Sequence, residues 1–251
     1  MKLTDILQSL HRIQQANRGI SPVYICGGIP RDKVIGNVKN RFDDLDLTTG
    51  DSSVRYLAEE FAVQMSKLYS MRKKVSEDGH VSVYLDNLKI DFSSNNVSAQ
   101  AEAALRNRGV EHPTDLQLEM ISRDFTCNAL LLNINLRDVL DPTGRGLKDI
   151  QSRMIRTCLD PHDTFMNDTK RISRLYYIAA KLDFNVDPEI IKWIRSNAGA
   201  VRNSKDKYIT EKINKAMELN PKRTVELLDA TGIWKYLPPL PSLQPYMKGR
   251  G

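Results

Sequence analysis

The residues with the clearest chemical potential are two glycines and two aspartates. Gly27-Gly28 closes an extended apolar run, Pro22-Val23-Tyr24-Ile25-Cys26, and seventeen positions after Gly27 begins Asp44-Leu45-Asp46. Alternate residues of a strand face one side, so Asp44 and Asp46 present their carboxylates together. Neighbouring carboxylates repel, and a divalent cation is the usual reason to place them side by side; hard oxygen donors suit Mg²⁺. Glycines let the backbone approach a ligand closely, and the amides that open a following helix can receive phosphate. The other reading of this pattern is an exposed acidic strand end beside a glycine turn. A third carboxylate, Asp91, stands in Lys89-Ile90-Asp91-Phe92, where Ile90 and Phe92 face one way and Asp91 the other. It can join the first two only if their strands are neighbours; a lone strand aspartate is more often a surface residue.

The elements that must position these groups alternate between helical and extended periods over the first 160 residues. An amphipathic helix is expected at about 2–16, a short helix at about 30–36, and a helix after Asp51-Ser52 in which Val54, Leu57, Ala58 and Phe61 recur at helical spacing. Extended segments from His80 to Leu85 and from Leu88 to Phe92 flank Asp86-Asn87, a hairpin turn signal. Residues 93–116 are polar and read as a mobile loop. A strand at about 127–134, the turn Asp141-Pro142-Thr143-Gly144 and a short helix follow. Beyond residue 160 only helical patterns remain: Ile172, Leu175, Tyr176, Ala179 and Leu182 mark one face, and Asp187-Pro188 and Pro221 open further helices. The fold class is therefore α+β, a mixed-sheet domain over 1–160 followed by a helical domain over 161–251.

Composition bounds the rest. The 251 residues are 41% hydrophobic and 27% charged, an ordinary globular balance. The longest clean apolar run, Ala129-Leu130-Leu131-Leu132, falls far short of a membrane span, and the first helix is too polar for a signal peptide. No membrane partner is expected. Three scattered cysteines, Cys26, Cys127 and Cys158, suggest buried thiols in a reducing, cytoplasmic setting. Residues 151–251 carry 18 Lys and Arg against 11 Asp and Glu, whereas the first 150 are almost balanced at 19 against 20. Such a basic region suits a polyanion such as nucleic acid, or is simply solvated surface.

Four segments carry a family resemblance. VYICGGIPRDKVIG…DDLDLTT, RDFTCNAL at 123–130, DPTGRGLKDIQSRMIR at 141–156 and DTKRISR at 168–174, with Phe165 upstream, resemble in order the motifs of class II CCA-adding enzymes and bacterial poly(A) polymerases. The resemblance implies a nucleotidyltransferase head followed by a helical neck and body. It implies addition of C and A to a tRNA 3′ end from CTP and ATP, with pyrophosphate released. CC-adding, A-adding or poly(A) activity are the alternatives, as is a non-catalytic RNA-binding relative. Three clustered carboxylates speak against the last, since a binding module has no use for them.

By the same resemblance Asp44 and Asp46 hold two Mg²⁺ ions, with Asp91 as third carboxylate. Gly27, Gly28 and Arg31 cradle the triphosphate, and Arg123, Asp124 and Asn128 meet the sugar and phosphates. Asp168 and Arg171 select the base, supported by Arg174. Read as three apart on one helix, Asp168 and Arg171 share a face. A carboxylate beside a guanidinium there matches the amino group and ring acceptor shared by C and A. An ordinary surface ion pair has the same spacing. Lys205, Lys207, Lys212 and Lys215 are the expected grip on the tRNA acceptor stem.

Three departures from the family pattern stand out. Asn167 replaces its acidic residue, Ser122 replaces one of its paired arginines, and about three helices follow the fourth motif. So few helices imply a grip confined to the acceptor stem, unless a homodimer supplies the missing reach. The four histidines are too dispersed for a metal cluster, and Trp193 and Trp234 read as core.

Overall fold

The computed structural model describes residues 3–37, 43–93 and 96–246. It divides into two compact units, 1–147 and 148–251. The first is a seven-stranded mixed sheet with helices. Its strands are β1 (Tyr24–Cys26), β2 (Asp44–Thr48), β3 (Met71–Val75), β4 (Val81–Leu85), β5 (Leu88–Phe92), β6 (Leu131–Asn133) and β7 (Val139–Leu140). They lie in the order β3-β4-β5-β2-β1-β6-β7, antiparallel throughout except for the parallel pair β2 and β5.

Two helices, α1 (Leu3–Ala16) and α3 (Ser53–Ser66), supply the apolar face that the sheet needs. Ile6, Leu10 and Ile13 join Val54, Leu57 and Phe61 in one core with Leu45, Leu47, Ile90 and Phe92. Phe61 and Phe92 meet with ring centroids 5.7 Å apart. Because strand side chains alternate, burying Leu45, Leu47, Ile90 and Phe92 on this face sends Asp44, Asp46 and Asp91 to the other. Asp51 organises the start of α3: its Oδ1 accepts the Ser53 amide at 2.9 Å and its Oδ2 accepts the Ser21 hydroxyl at 2.5 Å.

The short helix α2 (Gly28–Ile35) follows β1 immediately. Residues 71–75, which carry no strand signal, form the edge strand β3, where Arg72, Lys73 and Lys74 are exposed. Charged side chains on an edge oppose pairing with another chain. The stretch 93–116 is a correction to the expected mobile loop, although residues 94–95 lie outside the described residues. It contains α4 (Ala101–Arg106), which buries Ala101 and Leu105, and leads into α5 (Asp115–Ile121). Thr114 and Gln117 close the N-terminus of α5 with a capping box. The expected strand at 127–134 is shorter, because Thr126–Asn128 turns as a 3-10 helix before β6 begins.

The second unit opens within α6 (Gly146–Gln151) and continues through β8 (Met154–Ile155), α7 (Pro161–Asn167), α8 (Lys170–Leu182), β9 (Asn185–Val186), α9 (Pro188–Ser196), α10 (Asp206–Leu219) and α11 (Pro221–Thr231). Residues 148–160 belong to it, not to the sheet unit, for a physical reason. β8 pairs in parallel with β9, and Arg156 binds both Asp149 and, at 2.9 Å, Asp187. The core of the unit is α8 against α10 and α11, with the Tyr176 hydroxyl 2.7 Å from that of Thr231. Trp234 is buried; Trp193, read as core, is only partly covered and packs on Phe165 with centroids 5.1 Å apart.

Candidate active site

Strand pairing answers the question that the spacing left open. In the parallel β2–β5 ladder Asp46 is the register partner of Asp91, and Asp44 that of Lys89. On the other side Asp46 faces Cys26 of β1. One row across the sheet thus reads Cys26, Asp46, Asp91 and, on β4, Ser82.

Gly27 is required at the end of β1 for two independent reasons. Its φ is +76°, and a Cβ built there would lie 2.5 Å from Asp46 Oδ2. The backbone therefore runs directly against the carboxylate. At Gly28 a Cβ would lie 3.2 Å from Arg31 Nη2, so the Arg31 side chain folds back over the glycine turn.

The three carboxylates differ in setting. Asp44 is exposed and Asp46 partly buried. Asp91 accepts from Ser82 Oγ at 2.6 Å, lies 3.2 Å from His80 Nε2, and is paired with Lys89. Burial alone would raise its carboxyl; the hydrogen bonds from His80, Lys89 and Ser82 outweigh that and hold it at about 2. Burial pushes the Cys26 thiol up to about 12 despite the opposing pull of Arg123, so at neutral pH it is not a thiolate nucleophile. Among the described residues no three His, Cys, Asp or Glu side chains converge as a ready metal cage. The donor chemistry nevertheless fits a hard divalent cation, because Asp44 and Asp46 offer oxygen ligands on one face beside a close-running glycine backbone.

Residues 23–156 match the family model of the poly A polymerase head domain. The chain belongs to that family. Among its relatives, tRNA nucleotidyltransferase cca2 of Schizosaccharomyces pombe is 28% identical over 257 residues, covering 94% of this chain and 51% of that protein. The CCA-adding enzyme of Bacillus licheniformis is 26% identical over 235 residues, covering 93% and 56%. The crystal structure of the Bacillus stearothermophilus CCA-adding enzyme in complex with CTP shares the fold, with a TM-score of 0.72 at 24% identity over 98% of this chain and 57% of that one. The chain spans about half the length of these relatives.

Within the head domain Arg31, Asp124 and Asn128 are buried and drawn together, whereas Arg123 is partly buried and turns elsewhere. Arg31 Nη1 donates to Asn128 Oδ1 at 2.5 Å, Asn128 Nδ2 to Asp124 Oδ1 at 3.5 Å, and Arg31 also pairs with Asp32 at 2.6 Å. Arg31 is 1% exposed, so its guanidinium is buried against the glycine turn. Arg123 Nη2 reaches back to the Cys26 sulfur at 3.1 Å and to Glu119 at 2.9 Å.

In the helical unit the structure corrects one sequence argument. Asp168 and Arg171 are not neighbours on a single helix face. Asp168 ends α7 in extended conformation, and α8 begins at Lys170. The Asp168 carboxylate accepts the Lys170 amide at 3.0 Å, a local bond that interrupts the helix. Arg171 lies in the first turn of α8 and donates to the Thr164 carbonyl at 3.3 Å, while Arg174 is partly buried one turn later. The four lysines also divide. Lys205 and Lys207 are exposed, whereas Glu211 pairs with Lys212 at 3.2 Å and Lys215 at 3.0 Å. Lys212 further stacks over Tyr208, 5.1 Å from the ring centre.

Glu119 escaped the sequence reading. It is 2% exposed and accepts from Thr48, Ser93 and Arg123. The one local signal was an acid among the apolar residues Leu116, Leu118, Met120 and Ile121 of α5, four residues before an arginine.

Proposed function

We propose that this protein is a template-independent nucleotidyltransferase that adds C and A to the 3′ end of tRNA from CTP and ATP. The observation that carries the reading is the pairing of Asp46 beside Asp91, with Asp44 two residues along on the same face, against the Gly27 backbone. The names of the relatives support the substrate class. Asp44 and Asp46, with Asp91 as third carboxylate, are the residues that would hold two Mg²⁺ ions. Bound there, these ions supply charge stabilisation for the attacking and leaving oxygens of the transfer.

The chain's own residues do the rest. The RNA 3′-hydroxyl attacks the α-phosphorus and gives up its proton to solvent, the bond from that phosphorus to the α,β-bridging oxygen breaks, and pyrophosphate leaves. Gly27 and Gly28 let the triphosphate approach the backbone, with Arg31 supplying positive charge against the turn. Arg123, Asp124 and Asn128 form the wall for sugar and phosphate. Asp168 and Arg171, with Arg174 behind them, read the Watson–Crick edge of the incoming base, and an unmatched G or U leaves polar groups unpaired. The basic helical unit, through Lys205, Lys207, Lys212 and Lys215, grips the acceptor stem. A cytoplasmic, reducing setting agrees with Cys26, Cys127 and Cys158 being buried and unbridged, and no helix among the described residues is long and apolar enough to cross a membrane. Asn167 and Ser122 favour a second reading, addition of only part of the CCA sequence.

The test uses tRNA transcripts lacking A, CA or CCA, each with one labelled nucleoside triphosphate, with sizing at assay concentration to identify the active oligomer. Wild type should add C and A in order. Asp46→Ala should lose transfer by several orders of magnitude while still binding tRNA, and Asp168→Ala should admit GTP and UTP. Wild-type turnover by Asp46→Ala would show the row to be a surface feature of an RNA-binding protein.

A further inference from the structure

Next to the carboxylate row lies a second row. Thr48 follows Asp46 by two residues on β2, and Ser93 follows Asp91 by two just past the end of β5, where its amide still donates to the Leu47 carbonyl at 2.9 Å. Each therefore continues the face of its aspartate. Both hydroxyls donate to one side chain: Thr48 to Glu119 Oε2 at 2.5 Å, and Ser93 to Glu119 Oε1 at 2.8 Å. Arg123 donates to the same Oε1 at 2.9 Å and to the sulfur of Cys26, the β1 residue opposite Asp46, at 3.1 Å.

A buried carboxylate is costly unless fully engaged. Here it is 2% exposed and receives donors from β2, from just past β5 and, through Arg123, a tie to β1. A carboxylate accepts only, so its two oxygens can take both hydroxyls at once with no proton of its own to place.

We infer that Glu119 is a positioning residue that sets the lateral spacing of Asp46 and Asp91, and thereby the affinity of the carboxylate row for its divalent cation. This rests on the reading of Asp44, Asp46 and Asp91 as the cation's ligands. Glu119 itself stays behind the row, acting through Thr48 and Ser93.

The experiment titrates the purified full chain with Mn²⁺, without nucleotide or RNA, and follows free Mn²⁺ by electron paramagnetic resonance. Thermal unfolding is recorded on the same samples. Ser93→Ala removes one tie and should weaken Mn²⁺ binding about three- to tenfold. Glu119→Ala removes all three and should weaken it further, and adding Ser93→Ala to it should then cost nothing more, since coupled groups are non-additive. Glu119→Gln keeps an acceptor for Ser93 and Arg123 and should recover part of the loss. If Glu119→Ala does not fold, Ser93→Ala and Glu119→Gln carry the test.

Asp46→Asn separates the two claims. Mn²⁺ binding unchanged in Asp46→Asn overturns the cation reading and this inference with it. Binding lost in Asp46→Asn but unchanged in folded Ser93→Ala and Glu119→Gln overturns the role of Glu119 alone. A lowered melting temperature with wild-type Mn²⁺ affinity does the same, since it leaves Glu119 only a structural tie.

Discussion

Gly27→Ala tests the close approach of the β1 backbone to Asp46 in the candidate active site. The added methyl would sit 2.5 Å from Asp46 Oδ2, whereas ordinary contact starts at 3.4 Å, so the carboxylate must retreat by about 0.9 Å. A misplacement near 1 Å in a reacting constellation costs about 10²-fold in rate. The backbone adds its own penalty: φ +76°, ψ −130° is a glycine conformation, and alanine there costs about 1–3 kcal/mol. Gly36→Ala separates the two effects. Gly36 also has positive φ, +80°, but nothing lies within 4 Å of a Cβ built on it. That variant should lose about 1–2 kcal/mol of stability and keep its turnover. The assay pairs denaturant unfolding with single-turnover transfer of labelled CMP to a tRNA lacking CCA, at a temperature where both variants are folded. The expected result is comparable destabilisation in both and a rate loss of about a hundredfold in Gly27→Ala only. Equal rate losses in the two variants would assign the effect to backbone strain. A wild-type rate in Gly27→Ala would refute the claim that the position of Asp46 controls the chemistry.

Two further predictions concern the start of α3 and the helical unit. Burial would raise the Asp51 carboxyl, but the hydrogen bonds of Ser21, Ser53 and Thr49 hold it below its usual 3.8. Its contribution is therefore present above that pH and lost as pH falls below it toward the folded-state value. Asp51→Ala should cost about 1 kcal/mol near neutrality; a midpoint in acid that stays as far below wild type as at neutral pH would contradict the linkage. In the helical unit, Lys205→Gln with Lys207→Gln should flatten the log–log salt dependence of tRNA binding, by about one for each phosphate no longer neutralised. Lys212→Gln with Lys215→Gln should change it less, because Glu211 already pairs with both; equal effects would show that this pairing is immaterial.

Local period alone determined much of this protein. The alternation in Asp44-Leu45-Asp46-Leu47 and in Ile90-Asp91-Phe92 places carboxylates on one side and apolar groups on the other, because a strand has only two faces. The helical stripes of α1, α3 and α8 follow in the same way from a repeat of 3.6 residues. The family was legible too, since its motifs are short local runs that keep their order. Tertiary structure decided whatever depended on a distant partner. Asp91 meets Asp46 only because β5 pairs in parallel with β2 across more than forty residues of chain, a choice no residue in either strand encodes by itself. Strand β3 exists because β4 offers an edge, not because its charged residues favour one. Asp168 left the helix of Arg171 when its carboxylate captured the Lys170 amide, a local competition whose outcome the spacing could not give. Glu119 reads as an acid among apolar helix residues until Thr48 from β2 and Ser93 from just past β5 occupy its oxygens. Spacing along the chain is set by covalent geometry, whereas the partners of a buried carboxylate are set by which segments pack together.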